Sequence, residues 1–354
     1  MILIHVGASQ GALAIPEVAS GLAEAGHRVE VILGERTHNF VGPAAFREAE
    51  LVGTPSEAPE AVLHAPATAD AVARLARGLD NSSTATTVVA PDLDSGTADH
   101  PAVRENLKLL RDDGFRIVQG PEGRMAASGE IVAGLFAGLG GPMSGLRLLV
   151  TAGGTREPID SVRFIGNHSS GKMGLAVARE ALRMGAEVTV VAANVERVEP
   201  GTQSVSVETV EELKEEVLQR AGRAHALIMA AAVSDFTPAS PVREKIRRRD
   251  GTTSLELAPT PDVLAAVTGR YPDLFVVGFA ATHGDPLQDA REKLGNKGAD
   301  LVVGNDISGE GVGFGADENE VYLVGREEER LVPRASKREV ARVILDTMII
   351  EMER

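Results

Sequence analysis

The chain contains no cysteine and no tryptophan, and aromatic residues make up 3% of it. Without cysteine there are no disulfides, thiolate nucleophiles, iron–sulfur clusters or zinc ribbons. Few aromatics leave little material for the base-stacking platforms of single-stranded nucleic-acid binders. Positive charge is short as well. The net charge of −15 opposes general nucleic-acid binding, which needs a basic surface to displace phosphate counterions. The seven lysines against 29 arginines look like a bias of composition rather than of chemistry. No apolar run reaches the length of a bilayer span and no secretory leader opens the chain, because the first apolar stretch starts at Met1 and turns polar by Gly7. A cytoplasmic protein with small-molecule ligands, and with neither nucleic-acid nor membrane partners, is the expectation.

What is present is an alternation of strand and helix. At 354 residues and 43% hydrophobic content the chain suits two domains, each with its own core. MILIHV reads as a buried strand, GASQGA as a glycine turn, Ile15 to Ala25 as a helix closed by Gly26, and HRVEVIL as a second strand. This is a β-α-β unit of the doubly wound kind, although Gly7 and Gly11 do not complete the G-x-G-x-x-G dinucleotide fingerprint. Val62 to Leu63 reads as a clipped strand, APATADAVARLARGL as a turn and helix, TTVVAP as a strand, HPAVRENLKLLRDDG as a helix and FRIVQG as a strand. Such alternation implies a parallel sheet covered on both faces. The stretch AGLGGPMSG packs glycine, proline and serine together and marks a linker, so the expected domains are residues 1–142 and 146–354. The fold class is α/β: two tandem Rossmann-like, doubly wound parallel-sheet domains. The second gains an antiparallel edge hairpin from VYLVGREEERLVP and a closing helix from SKREVARVILDTMIIEM, whose Val340, Ile344 and Met348 stripe reads as core or dimer surface.

The most informative stretch opens the second half: LVTAGGTREPIDSVRFIGNHSSGKMG. A short strand empties into a loop holding Gly153, Gly154, Arg156, Arg163, Asn167, Ser169, Ser170, Gly171 and Lys172, and a helix from Met173 to Met184 follows. Small residues let a backbone approach a ligand closely, helix-start N–H groups point outward unpaired, and Arg and Lys add positive charge. Together they describe an anion site, most naturally for a phosphate chain. Gly166, Gly171 and Lys172 satisfy G-x-x-x-x-G-K, but Met173 stands where Ser or Thr would hold magnesium, which argues against an ordinary P-loop. HALIMAAAVSDFTP reads as the next strand and its exit loop. It places Asp235 past a carboxyl end, either to accept hydrogen bonds from a ribose or base or to cap the following turn. PVREKIRRRDGTTSLELAPTPDVL reads as a charged hairpin with Arg247 to Arg249 solvated. His5 and His38 read as structural or solvated, and no histidine spacing supports a metal site.

In the first half, APATADAVARLARGL and DHPAVRENLKLLRDDGFRIV resemble the flavin-dependent decarboxylase domain that acts on phosphopantothenoylcysteine. The resemblance implies that the turn matching APATAD helps hold FMN. It also implies that decarboxylation depends on a His, on an Asn in a P-A-M-N motif and on a Cys that donates a proton. This chain departs at all three. The segment for the His holds none and His64 falls inside the strand, PDLD puts Asp94 at the Asn, and MAASG puts Ala127 or Ser128 at the Cys. A decarboxylase fold kept without its chemistry is expected, with FMN binding left open.

Across the second half the chain resembles phosphopantothenate-cysteine ligase, also called phosphopantothenoylcysteine synthetase. The resemblance is carried, in order, by TAGGTREPIDSVRFIGNHSSGKMG, AAAVSDFTP, EKI, TPDVL, VVGFAA, the Lys293/Lys297 pair and ADLVVGND. It implies a ligation in coenzyme A biosynthesis driven by CTP. The carboxylate of 4'-phosphopantothenate attacks the α-phosphate, pyrophosphate leaves, and the amine of cysteine displaces CMP from the acyl-cytidylate. Asn167 would steady the acyl intermediate, Arg163 would assist the second half-reaction, and Lys245 would neutralise phosphate charge as pyrophosphate departs. Met229, Ala230, Ala231 and Asp235, the turn Pro261, Asp262, Val263 and Leu264, and Phe279, Lys293 and Lys297 would hold the nucleotide. Magnesium would sit on the phosphates. A homodimer or higher homo-oligomer would close each site with the partner subunit.

The chain departs from this family too, at Gly154 where Pro is usual, at Gly166 where Ser is common, and at Thr282 where Glu normally follows GFAA. Two other readings follow. One is a paralogous amide ligase joining a different acid and amine by the same chemistry, and the other is a non-catalytic flavin- or nucleotide-binding regulatory protein. An NAD-dependent dehydrogenase would need a full fingerprint and a catalytic His or Tyr in context, which the sequence lacks.

Overall fold

Unbroken apolar runs build two sheets, each in its own compact unit: Met1–Gly145 with Leu182–Ala186, and Leu146–Ala181 with Glu187–Arg354. The structure is a computed structural model and describes residues 1–80, 85–198, 201–247, 254–308 and 316–354.

The first unit runs β1 (Ile2–Val6), α1 (Ile15–Glu24), β2 (Val29–Leu33), β3 (Glu50–Leu51), β4 (Ala61–Ala67), α2 (Ala69–Ala76), β5 (Thr86–Pro91), α3 (Ser95–Ala98), α4 (Pro101–Asp112), β6 (Arg116–Ile117) and α5 (Ser128–Gly138). Among the described residues its strands form one parallel sheet in the order β3-β2-β1-β4-β5-β6. β1 and β4 are covered on both faces, which is why they read as apolar runs without alternation. On one face Ile15, Val18 and Leu22 of α1 and Ile131 and Leu135 of α5 pack with Ile2, Ile4 and Leu63. On the other, Val72 and Leu75 of α2 and Leu107 and Leu110 of α4 pack with Val89. Each fully buried side chain of this size contributes about 1.5–3 kcal/mol. The expected clipped strand at Val62 to Leu63 extends through Ala67, absorbing the start of APATAD, and the glycine turn contains a 3₁₀ turn over Gln10–Ala14.

The second unit contains β7 (Arg147–Gly153), β8 (Arg156–Pro158), β9 (Phe164–Gly166), α6 (Lys172–Arg183), β10 (Glu187–Ala193), β11 (Gln203–Val207), α7 (Val210–Ala221), β12 (Ala226–Met229), β13 (Phe236–Pro238) and β14 (Leu257–Pro259). It continues with α8 (Val263–Arg270), β15 (Phe275–Thr282), α9 (Pro286–Lys297), β16 (Leu301–Asp306), β17 (Glu318–Gly325), β18 (Glu329–Ser336) and α10 (Lys337–Met352). The large sheet is ordered β11-β10-β7-β12-β15-β16-β17-β18. β11 through β16 are parallel, and β17 and β18 add the antiparallel edge hairpin. Leu149, Val191 and Leu227 of the sheet pack with Leu213 and Val217 of α7 and Val263 and Val267 of α8. The Val340, Ile344 and Met348 stripe of α10 is fully buried, so it is core.

The charged hairpin expected from PVREKIRRRD is built differently. β13 pairs with β14, and the charged segment lies between these arms. Arg247 is exposed, while Arg248 and Arg249 lie outside the described residues.

Candidate active site

Both sheets reverse their strand order at one place, between β1 and β4 in the first and between β7 and β12 in the second. Loops leaving the carboxyl ends of such strands diverge and leave a crevice. At the second reversal the crevice opens into a cavity of about 990 Å³. Its walls come from residues 166–174, the exit of β12 at 229–235, the turn 260–264, the end of β15 and the inner face of α9.

The loop over this crevice is fixed from below. At Gly153 φ is 92°, and a Cβ there would lie 1.9 Å from the Ala193 carbonyl oxygen, so only glycine fits. The Gly154 amide donates to the same carbonyl at 3.0 Å. Gly153 and Gly154 therefore press against the end of β10 and do not line the cavity, contrary to the expectation that they touch a ligand. The hydroxyl of Thr151 accepts from the Ala231 amide at 3.0 Å and that of Thr155 accepts from the Ser234 amide at 2.9 Å, which holds the exit of β12 in place. Asn167 Nδ2 donates to the Val233 carbonyl at 2.9 Å and fastens the loop to that exit. At the start of α6, Ser169 Oγ accepts from the Gly171 amide at 3.3 Å and Ser170 Oγ from the Lys172 amide at 3.4 Å. These two amides, expected to be unpaired, make long and weak bonds that an anion can displace. The helix dipole favours such an anion by roughly 0.3–1 kcal/mol.

Four of the seven lysines line this one cavity. Lys297 Nζ lies 2.5 Å from Asp262 Oδ2 and Lys172 Nζ lies 2.6 Å from Asp317 Oδ1. Lys293 donates to the Phe279 carbonyl and Lys337 to that of Ala316. Burial, reinforced by Lys297, pushes the Lys293 ammonium below its usual range, and burial with Lys172 does the same to Lys337. Burial pulls Asp262 upward, but the Ala265 amide and Lys297 together outweigh it and hold the carboxyl below the ordinary range.

Met229, Ala230, Ala231 and Asp235, the turn 261–264, and Phe279, Lys293 and Lys297 all line the cavity, as do Asn167, Ser169, Ser170, Gly171 and Lys172. Arg163 and Lys245 do not. Arg163 bonds to Asp160 at 2.8 Å and to the Ile246 carbonyl at 3.1 Å, so the two cations sit near each other beside the β8–β9 and β13–β14 pairs. That region exposes Val162, Phe164, Phe236 and Leu257. Sequence reading missed Lys337 and Asn319 on the cavity wall. Asn319 Oδ1 is buried and has no hydrogen-bond partner among the described residues, which leaves an acceptor for a ligand donor. The pattern of Ser336 and Glu339 signals a helix start, but not that Lys337 beside it points to a cavity. Among the described residues no group of three His, Asp or Glu side chains is set to hold a metal.

In the first unit the positions matched to decarboxylase chemistry have structural tasks. Asp94 caps α3, accepting from the Thr97 amide at 2.9 Å and its hydroxyl at 2.8 Å. Ser128 donates to Glu17 at 2.8 Å. His64 stacks on His5 with ring centroids 4.7 Å apart, and burial, helped by His5, pushes it down to about 3.

Fold and site together define a doubly wound α/β protein with a lysine-lined crevice at a reversal of strand order. Residues 143–352 match the family described as DNA/pantothenate metabolism flavoprotein C-terminal domain. The chain is 37% identical to the coenzyme A biosynthesis bifunctional protein CoaBC of Mycobacterium bovis, over 98% of this chain and 96% of that one. It is 33% identical to the CoaBC protein of Bacillus subtilis, over 93% and 91%. The crystal structure of the C-terminal domain of a CoaBC protein covers 60% of this chain and 98% of its own length, with a TM-score of 0.52 and 33% identity. The chain belongs to the CoaBC family.

Proposed function

We propose that the second unit ligates 4'-phosphopantothenate to cysteine in coenzyme A biosynthesis, with CTP as co-substrate and an acyl-cytidylate as intermediate. The observation that carries this reading is the convergence of Lys172, Lys293, Lys297 and Lys337 on one cavity in an otherwise acidic chain. Cations fixed in a partly desolvated crevice stabilise the negative charge that builds on a departing pyrophosphate. Lys293 and Lys297 hold the phosphates, Asp235 and the turn 261–264 take the ribose and base, and the backbone at 229–231 lies along the nucleotide. Asn167, already oriented by Val233, steadies the acyl intermediate. The cavity offers the scattered carboxylates Asp235, Asp262, Asp289 and Glu292, which suits a magnesium ion carried on the triphosphate better than a protein cage. That ion would supply further charge neutralisation on the phosphates.

Arg163 and Lys245 reach a cavity when a second copy of the chain docks through the exposed Val162, Phe164, Phe236 and Leu257. A homodimer mass in light scattering is expected. The first unit keeps a decarboxylase-like fold without its reaction, since Asp94 and Ser128 are committed to capping and packing.

The test is direct. With phosphopantothenate, cysteine, CTP and magnesium, pyrophosphate and CMP should appear together, and silence with every nucleoside triphosphate would reject the reading. A second reading, ligation of another acid and amine, is favoured by Thr282. Its hydroxyl bonds to Asp289 at 2.7 Å on the cavity wall, where the family resemblance implies Glu. Screening carboxylic acids for nucleotide-dependent pyrophosphate release separates the two.

A further inference from the structure

The first unit has its own reversal of strand order between β1 and β4, the place where doubly wound sheets bind phosphorylated cofactors, FMN among them. The glycine turn after β1 lies against the turn after β4, since a Cβ on Gly7 would come within 2.3 Å of the Pro66 carbonyl oxygen. Beside this pair of turns, just past the end of β5, stands Asp92. Its side chain is 3% exposed. Oδ2 accepts from Ser9 Oγ at 2.6 Å and from the Gly11 amide at 3.0 Å. Oδ1 accepts from the Met125 amide at 3.3 Å and lies 3.4 Å from Arg124 Nε. A Cβ on Gly11 would crowd Oδ2 at 3.0 Å, so the glycine admits the carboxylate.

A serine hydroxyl, two backbone amides and a guanidinium around one buried anion form the donor set with which proteins hold phosphate oxygens. Here the anion belongs to the chain. The donors are spent, and a phosphate brought to the same place would meet a buried like charge without compensation. These residues do not fit FMN.

We propose that Asp92 is a built-in occupant of the first unit's anion site. It stands in for a ligand phosphate and closes this crevice to FMN and to other phosphorylated ligands. The inference is independent of the ligase reading, because no atom of the second unit enters it.

Fluorescence titration and thermal unfolding test it. The natural chain should purify without flavin, leave FMN fluorescence unquenched, and answer inorganic phosphate with only the melting shift that the second unit's lysine crevice supplies. Asp92→Ala leaves the donors without a partner. It should melt lower in phosphate-free buffer, regain most of the loss when inorganic phosphate is added, and bind phosphate roughly tenfold or more tightly than the natural chain. Asp92→Asn keeps the shape of the side chain without its charge, and should show the same phosphate-dependent rise on a smaller scale even if the alanine variant does not fold. Stoichiometric FMN on the natural chain would overturn the proposal. So would variants whose melting responds to phosphate no more than the natural chain does. Pyrophosphate release measured on the same samples keeps a failure here distinct from a failure of the ligase reading.

Discussion

The two units repeat one strand order and fill its reversal in opposite ways. Between β1 and β4 the donors of Ser9, Gly11, Arg124 and Met125 close on a carboxylate from within the chain. Between β7 and β12 the same topology opens into about 990 Å³ walled by lysines. Strand order fixes where a crevice forms. What faces it differs residue by residue: Asp92, just past β5, fills one, and the lysines of α6, α9 and α10 wall the other.

The sharpest way to break this contrast is to disarm each crevice in turn. Lys293→Ala should lower kcat/KM for pyrophosphate release by roughly 100-fold or more, while Asp92→Ala should leave it within about twofold. Equal losses in a steady-state assay would show that the two crevices do not work independently. The glycines under the two turns come next. Gly153→Ala and Gly7→Ala each push a Cβ into a carbonyl oxygen, at 1.9 Å and 2.3 Å, and should each cost about 1–3 kcal/mol in urea unfolding. A neutral result at either position would mean that its turn is not pinned as described.

Acid separates the units further. His64 on β4 has its pKa lowered to about 3 in the folded chain, against 6.5 in the unfolded one, so the unfolded chain takes up the extra proton. Stability is then complete above pH 6.5 and falls by up to about 1.4 kcal/mol per pH unit as pH drops toward 3. His64→Phe should flatten that slope in melts taken across the range. The smallest effect belongs to the start of α6. Ser169→Ala and Ser170→Ala remove only long bonds and should each cost less than about 1 kcal/mol of stability. Calorimetry should nevertheless register weaker nucleotide binding, since these residues line the cavity.

Much of the fold was legible because parallel strands buried on both faces leave unbroken apolar words such as MILIHV, TTVVAP and RLLV in the chain. α5 was not, since Gly129, Gly134 and Gly138 give it the composition of a linker and its burial alone makes it a helix. At the site, segments adjoining strand ends could be placed from sequence, because the crevice lies where those ends are. Asn319 and Lys337 arrive from the edge hairpin and the last helix, a tertiary approach that no local spacing announces. Arg163 and Lys245 showed the reverse problem. The family resemblance set them at the reaction, yet within one copy of the chain Asp160 binds Arg163 and the Ile246 amide away from the cavity. Asp92 escaped notice because its donors come from residues 9, 11, 124 and 125, far from it along the chain.

Every ammonium group on the cavity wall already holds an acceptor supplied by the chain: Asp317, Asp262 or the carbonyls of Phe279 and Ala316. An arriving polyanion must displace these acceptors, so its association is an exchange of partners rather than a first pairing. Added salt weakens the bonds broken as well as those made, and affinity should fall with ionic strength less steeply than four cations would suggest. The released Asp262 and Asp317 carboxylates would regain ordinary acidity, and docking in buffer near pH 4 should draw protons from solution.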